Sequence, residues 1–130
     1  MTIELNMLSL VAVFGLVQIV LSAQSKNLST GYRWAGGSRD EPRPPLTPIA
    51  GRLERALANF LGTFSLFAAA VLVAHAAGRH DWMTQWGSVL YLAARVVYVP
   101  LYALGVFLVR SLVWNVATVG IMLILLSLVF

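Results

Sequence analysis

The side chains best suited to chemistry are arginines, tyrosines and one asparagine that recur at helical spacing within two apolar stretches of the chain. The members of the first set are Arg52, Arg55, Asn59 and Thr63. The members of the second set are Tyr91, Arg95, Tyr98 and Tyr102. Because neighbours within each set are three or four residues apart, each set predicts one polar face on an otherwise apolar helix.

Arg95 lies near the middle of its apolar stretch. An arginine at the centre of a bilayer costs about 2.5 kcal/mol or more unless it has polar partners, so it indicates a functional or structural polar cluster. At ~1.5 Å per residue, Asn59 and Tyr102 would lie about 9 and 10 Å from the ends of their helices. The two faces could therefore share one pocket, with Arg110 closing it from one end. A cationic, tyrosine-lined cavity suits an anionic ligand.

Simpler explanations exist for each of these residues taken singly. Arg52 and Arg55 begin a helix, where long cationic side chains commonly reach the membrane surface as anchors. Tyrosines at helical spacing often serve packing, and Asn59 could form a hydrogen bond that holds two helices together. Only the combination favours a binding site. His75 and His80 have no further ligand at metal-binding spacing, so we expect them to be structural or solvated, with no metal bound.

Composition identifies the environment in which these residues act. Of the 130 residues, 59% are hydrophobic and 11% are charged, which leaves too few polar side chains to coat a soluble domain. The chain has no cysteine, so disulfides, zinc–thiolate sites and a cysteine nucleophile are excluded, and any thiol chemistry must use a thiol from outside. Nucleic-acid binding would need a basic face, and we expect none.

Four apolar stretches predict an all-α membrane protein, a single domain folded as a four-helix transmembrane bundle. The predicted spans cover residues of about 6–24, 53–77, 84–109 and 111–130, joined after the first span by a loop of residues 25–52. Each is close to the roughly 20 residues that a helix needs to cross a bilayer. The first could be a signal peptide, but Glu4 precedes it without any Lys or Arg, whereas signal peptides begin with positive charge.

Lys and Arg at the ends of the spans predict the orientation. Those in the first loop and at the start of the second span are Lys26, Arg33, Arg39, Arg43, Arg52 and Arg55. Arg110 lies at the third junction, whereas Arg79 stands alone in the second loop. Because positive loops stay in the cytoplasm, both termini are expected outside, where Trp82 and Trp86 would join an aromatic belt. The pocket would then open to the cytoplasm.

Longer motifs resemble a known family. Residues 52–61 (RLERALANFL) and 64–67 (FSLF) resemble the second-helix signature of the membrane-associated proteins in eicosanoid and glutathione metabolism, the MAPEG family. Residues 94–98 (ARVVY), followed by Tyr102, Gly105, Arg110, Ser111 and Trp114, resemble its other signature. Residues 39–42 (RDEP) resemble the first loop of its bacterial branch. The likeness covers nearly the whole chain in order and spacing.

This resemblance implies a homotrimer of four-helix subunits in a membrane, here the inner membrane of a bacterium. It implies glutathione as cosubstrate between adjacent subunits near the cytoplasmic face, and a lipophilic small molecule as the second substrate. Arg55 and Asn59 would hold the glutathione backbone and carboxylates, with further contacts from Tyr98 and Tyr102. Arg110 would stabilise the thiolate, because a nearby guanidinium lowers the pKa of a thiol.

One position departs from the family pattern. A carboxylate normally stands three residues after the asparagine, and this chain has Gly62 there, which removes a partner for the glutathione amino group and for Arg95. Three functions therefore remain open. They are a glutathione-dependent transferase or peroxidase, a divergent member that binds a lipid or another anion, and a small drug exporter. The exporter would need a membrane-embedded carboxylate, and Glu4 is too near the terminus to serve.

Overall fold

The computed structural model describes residues 1–106 and 108–130, and helices are the regular secondary structure of these residues, joined by turns and irregular segments. The helices are α1 (Ile3–Thr30), α2 (Tyr32–Ala35), α3 (Pro48–Ala76), α4 (Trp82–Ala103) and α5 (Val109–Val129). Three of them, α1, α3 and α5, are long and apolar enough to cross a membrane. This confirms the prediction of an all-α membrane protein. The crossing by α4, which is 22 residues long and contains Arg95 and Pro100, stays a prediction.

The segment predicted as a loop over residues 25–52 is shorter in the structure. The first helix continues through polar residues to Thr30, where the N–H of Gly31, at φ 87°, bonds to the carbonyl of Asn27. The next long helix starts early because Pro48 fits a first helical position and the Thr47 hydroxyl accepts a bond from the N–H of Ala50. Hydropathy marks the membrane-embedded part of a helix, whereas caps decide where the helix ends.

The junction between the last two helices also differs from the prediction. The fourth helix ends at Ala103 instead of near residue 109, and α5 begins at Val109 instead of residue 111. Gly105 and Leu108 have positive φ angles of 71° and 66°, a backbone conformation that breaks a right-handed helix. Arg110 consequently stands in the first turn of α5, at the turn between two packed helices.

The four long helices alternate in direction, as the contacts between their ends show. Thr47 at the start of α3 bonds Ser29 near the end of α1, and Arg52 of α3 donates to the carbonyl of Ala103 at the end of α4, 3.2 Å away. Ser127 near the end of α5 donates to Asp81 at the start of α4. One end of the molecule therefore carries the starts of α3 and α5, and the other carries both chain termini.

The closest packing joins α4 and α5 at two glycines. A Cβ atom on Gly87 would stand 2.5 Å from the carbonyl oxygen of Gly120, and one on Gly120 would stand 2.6 Å from that of Gly87. Small residues at such crossings let two membrane helices approach closely. The core beneath this crossing is apolar and aromatic, with Phe67 stacked on Tyr91 at 4.1 Å between ring centroids. The packing fixes α4 and α5 as one unit.

Polar residues close the end of the molecule that carries the termini. We call this group the terminal cluster, and its members are Glu4, His80, Asp81, Thr84 and Ser127. Thr84 donates to Oε1 of Glu4 at 2.7 Å, and Ser127 donates to Oδ2 of Asp81 at 2.7 Å. Nδ1 of His80 lies 3.5 Å from Oε2 of Glu4, whose side chain is buried. The terminal cluster ties the ends of α1, α4 and α5 together.

Candidate functional site

The polar faces of α3 and α4 meet in the interior, as their spacing predicts. Nη1 of Arg95 donates to Oδ1 of Asn59 at 2.9 Å. The guanidinium carbon of Arg95 lies 4.5 Å from the ring centroid of Tyr98 and 5.5 Å from that of Phe60. The side chain of Arg95 is completely buried. The arginine predicted near the middle of the membrane therefore contacts one amide and two aromatic rings inside the protein.

This arrangement leaves Arg95 only partly paired. Its Nε and Nη2 atoms are buried and have no hydrogen-bond partner among the residues that the structure describes. A guanidinium offers five N–H donors in a fixed plane, and unsatisfied buried donors raise the free energy of a fold. Buried polar groups that stay unpaired call for a further partner, such as ordered water or a bound anion.

Tyr102 lies between two further arginines, one turn beyond Tyr98. Nε of Arg55 donates to the Tyr102 hydroxyl at 3.2 Å. The guanidinium carbon of Arg110 lies 4.6 Å from the Tyr102 ring centroid. This contact joins the first turn of α5 to α4. The rings of Tyr98 and Tyr102 are 5.6 Å apart between centroids. The guanidinium carbon of Arg55 lies 5.9 Å from the same ring centroid as that of Arg110, the ring of Tyr102, so both arginines make cation–π contacts with Tyr102.

A cavity of about 420 Å³ opens beside these residues. Its lining consists of Asn59, Tyr98, Tyr102, Arg110, Ser111, Trp114 and Asn115. Four of the predicted site residues therefore line it. The other two, Arg55 and Arg95, contact the lining directly through their bonds to Tyr102 and Asn59. The structure brings all the predicted residues to one place.

Apart from Arg110, the residues that α5 contributes to the cavity were not predicted as site residues. Asn115 was missed, and Ser111 and Trp114 were noted only as part of the family resemblance. Ser111 and Asn115 are four residues apart, and that spacing after Arg110 is the signal that could have found them. The indole Nε1–H of Trp114 is buried without a partner in the described part of the chain, which adds another donor beside the cavity.

Part of the predicted polar faces belongs to the core instead of the cavity. Thr63 and Tyr91 form a hydroxyl–hydroxyl bond of 2.9 Å. Tyr91 is fully buried against Phe67. Thr63 lies one helical turn from Asn59, and Tyr91 lies two turns from Tyr98. These residues connect α3 to α4 and do not line the site.

Gly62 lies on an open surface of α3. It is exposed, and a Cβ atom built there would meet nothing within 4 Å in the described residues. Within one subunit, Gly62 is therefore not required for close packing. The absence of a carboxylate at this position leaves the neighbouring Asn59 amide oxygen as the partner of Arg95.

A larger concave region, of about 630 Å³, lies on the segment between α1 and α3. It is formed by residues of that segment, including Trp34, whose indole donates to the carbonyl of Glu41 at 3.0 Å, and Arg39, whose guanidinium stacks 5.5 Å from the Trp34 ring. It contains none of the predicted site residues. The internal contacts indicate a segment folded on itself.

Apolar helices with a buried arginine and a cationic cavity between them define a multi-helix membrane protein with a polar site inside. The profile of the MAPEG family matches residues 7–130, nearly the whole chain. The chain therefore belongs to the MAPEG family, as its motifs predicted. Comparisons with curated proteins and with solved structures give no significant match.

Proposed function

We propose that this protein is a glutathione-dependent transferase or peroxidase that acts on lipophilic electrophiles reaching it from the bilayer. The observation that carries the proposal is the cavity in which Arg110 lies over Tyr102 and beside Asn59 and Tyr98. Guanidinium, hydroxyl and amide donors around a space of this size suit a small peptide with two carboxylates. Family membership supports the choice of glutathione.

Arg110 is the catalytic residue of this proposal. Its positive charge favours the thiolate over the thiol and lowers the pKa of the bound sulfhydryl. With an electrophilic carbon, the thiol loses its proton, the sulfur forms a bond to that carbon, and a leaving group departs or the adduct takes the proton back. With a lipid hydroperoxide, two glutathione molecules give the disulfide, an alcohol and water. Arg55, Asn59, Arg95, Tyr98 and Tyr102 bind and orient the peptide.

The proposed assembly is a homotrimer of four-helix transmembrane subunits in the inner membrane of a bacterium. Arg55 is exposed on α3 of the single chain, and an arginine facing lipid would be costly. The same face carries small residues, with Ala58 and Gly62 four apart and also exposed, which permit close helix contact. We propose that neighbouring subunits cover this face and that the arginine-rich end lies in the cytoplasm.

Native mass spectrometry in mild detergent tests the assembly. We expect trimers with bound membrane lipids. A population of monomers alone, at protein concentrations at which the secondary structure is intact, would contradict the proposed subunit interface.

Ultraviolet titration tests the chemistry, because the thiolate of bound glutathione absorbs where the thiol does not. We expect wild-type protein to lower the thiol pKa and Arg110→Ala to return it to the value of free glutathione. Arg79→Ala is the matched control, since Arg79 is an exposed arginine at the other end of the molecule. Equal pKa values in wild type and Arg110→Ala would show that Arg110 lacks this role.

A second function is favoured by a specific observation, the glycine at position 62. With no carboxylate there and with the Asn59 oxygen occupied by Arg95, a divergent member could bind a lipid or another anion without thiol chemistry. Calorimetry with glutathione on purified protein, followed by turnover of a standard electrophile, separates the two. Millimolar or tighter binding with turnover supports the enzyme, whereas binding of anionic lipid without either supports the divergent member.

A further inference from the structure

The charges around the cavity are almost all of one sign. Arg110 lines the cavity, Arg55 and Arg95 bond to two of its lining residues, and Arg52 donates to the carbonyl of Ala103 at the end of α4. No carboxylate lines the cavity among the described residues. A ligand in this space therefore meets a positive potential that no protein anion offsets.

The acidic residues of the chain are engaged elsewhere. Glu4 and Asp81 belong to the terminal cluster at the opposite end. Glu54 lies 3.3 Å from Nη1 of Arg43. Asp40 and Glu41 lie in the segment between α1 and α3, around the other concave region. None of them is placed in this subunit to accept a hydrogen bond from a ligand in the cavity.

Two of the neutral acceptors at the site are occupied, whereas the Tyr98 and Ser111 hydroxyls and the Asn115 amide also line the cavity. Oδ1 of Asn59 accepts from Arg95, and the hydroxyl oxygen of Tyr102 accepts from Arg55. Donors without a partner among the described residues also lie next to the cavity. They are the buried Nε and Nη2 groups of Arg95, which stacks on Tyr98, and the buried indole N–H of Trp114. The positive charge and these donors favour an oxyanion as the ligand.

An ammonium group would be unfavourable in such a place. It would lose water and face like charges with no carboxylate among the described lining residues, and both raise its free energy. Glutathione carries two carboxylates, which match the site, and one ammonium, which does not.

We propose that the cavity selects low-molecular-weight thiols that carry carboxylates but whose amino group is absent or acylated. This inference rests on the proposed function, since it names the class of thiol for the same site. Such a thiol differs from glutathione in lacking the positive charge of the ammonium group. Gly62 does not line the cavity, but it lies one turn along α3 from Asn59 with open space at its Cβ, so a longer carboxylate side chain introduced there tests whether a negative charge near Asn59 changes the preference.

Calorimetry with two probes, glutathione and N-acetylglutathione, tests the selectivity in the full-length protein in detergent. The probes share the thiol and both carboxylates, and only the ammonium is replaced by an amide. We expect the wild-type protein to bind N-acetylglutathione roughly three- to tenfold more tightly, a size typical of repulsion between partly solvated like charges.

Two variants at position 62 identify the origin of the preference. Gly62→Glu supplies a carboxylate, and we expect it to reverse the preference in favour of glutathione. Gly62→Gln has the same size without the charge, and we expect it to keep the wild-type preference. Elution on size exclusion identical to wild type shows that a variant is folded. If a variant does not elute like wild type, the inference is decided by the affinities of the wild-type protein for glutathione and N-acetylglutathione.

The outcomes separate this inference from the proposed function. Tighter binding of glutathione than of N-acetylglutathione by wild type overturns the selectivity and leaves the transferase proposal intact. Tighter binding of N-acetylglutathione without any thiolate absorbance supports the selectivity and overturns the thiol chemistry. If neither probe binds at millimolar concentration, both are overturned. Reversal by Gly62→Gln as well as by Gly62→Glu would show that size and not charge sets the preference, which also overturns the inference.

Discussion

The two polar regions of this molecule, the terminal cluster and the cavity, differ in how completely their groups are paired. In the terminal cluster, Oε1 of Glu4 accepts from Thr84, and Oε2 lies near His80. Oδ1 of Asp81 accepts from the N–H groups of Met83 and Thr84, at 2.9 and 3.0 Å, while Oδ2 accepts from Ser127. Every carboxylate oxygen of this cluster has a partner within the chain.

In the cavity, by contrast, the polar groups are only partly paired. Arg95 is as deeply buried as Glu4 but has a single hydrogen bond, and two of its nitrogens are unpaired within the described residues. A saturated polar network stabilises the fold in which it forms, whereas an unsaturated one has donors available for a ligand. The comparison assigns stability to the terminal cluster and binding to the cavity. Variants should separate the two properties.

The largest effect on stability is expected from Glu4→Ala. The change removes a buried carboxylate that accepts from Thr84 and faces His80, and hydrogen bonds to charged groups contribute roughly 1.5–3 kcal/mol each. Thermal unfolding in detergent should show a markedly lower Tm, with unchanged glutathione binding in the folded protein. Glu4→Gln, which keeps an oxygen for Thr84, is the control and should lose less. Weakened binding in Glu4→Ala would show that the regions are coupled.

The opposite pattern is expected from Arg95→Met. Replacing a buried, incompletely paired charge by an apolar side chain of similar volume is often neutral or stabilising, and the Asn59 amide that loses its partner lines the cavity, where water can replace the bond. We expect the Tm to stay or rise and the affinity for carboxylate ligands to fall about tenfold. Arg95→Lys keeps the charge and should retain more affinity. A large drop in Tm with unchanged affinity would make Arg95 a structural residue.

A smaller effect concerns pH and the cap of α4. Hydrogen bonds from the Ser127 hydroxyl and from the N–H groups of Thr84 and Met83 lower the pKa of the Asp81 carboxyl below its ordinary value. A depressed pKa in the folded state means that Asp81 stabilises the fold above the ordinary carboxyl pKa of about 3.9. That stability is lost as the pH falls through the lower, folded-state pKa.

Thermal unfolding of wild type and Asp81→Asn across the acidic range measures this contribution. Asparagine can still cap the helix, so the variant isolates the charge. We expect it to be a few degrees less stable near neutral pH and to converge with wild type in strong acid. A constant difference in Tm from neutral pH to acid would attribute the effect to packing instead of ionisation.

The smallest effect is expected at Gly62. A methyl group there meets no atom of the described residues within 4 Å, and alanine is a better helix former than glycine by up to about 1 kcal/mol. Gly62→Ala should leave the stability of the subunit unchanged or slightly higher. Gly120→Ala is the contrasting variant, because its Cβ would stand 2.6 Å from the carbonyl of Gly87, and it should lower the Tm. Dissociation of the assembly by Gly62→Ala would show that the neighbouring subunit proposed on this face packs directly against Gly62.

Helical periodicity and the cost of a charge in an apolar helix predicted that the polar residues of α3 and α4 lie together. Arg95 and Asn59 could be assigned to one polar cluster because a charge in an apolar helix needs a partner, and that requirement depends only on residue type and spacing. The spacing of Tyr98 and Tyr102 placed them on the same side, as the structure confirms. Arg110 was assigned to the same pocket from its place at the junction of the last two helices, and the family motifs added its expected role toward a thiolate.

Tertiary structure alone decided where along each face the site begins and ends. Thr63 and Tyr91 have the same spacing as the site residues, yet they bond to each other in the core, because periodicity gives the side of a helix but not the neighbour at each depth. Asn115 joins the cavity through the packing of α5 on α4. Glu4 is buried because three helix ends converge on it. Such contacts join residues far apart in the chain, so no local pattern encodes them.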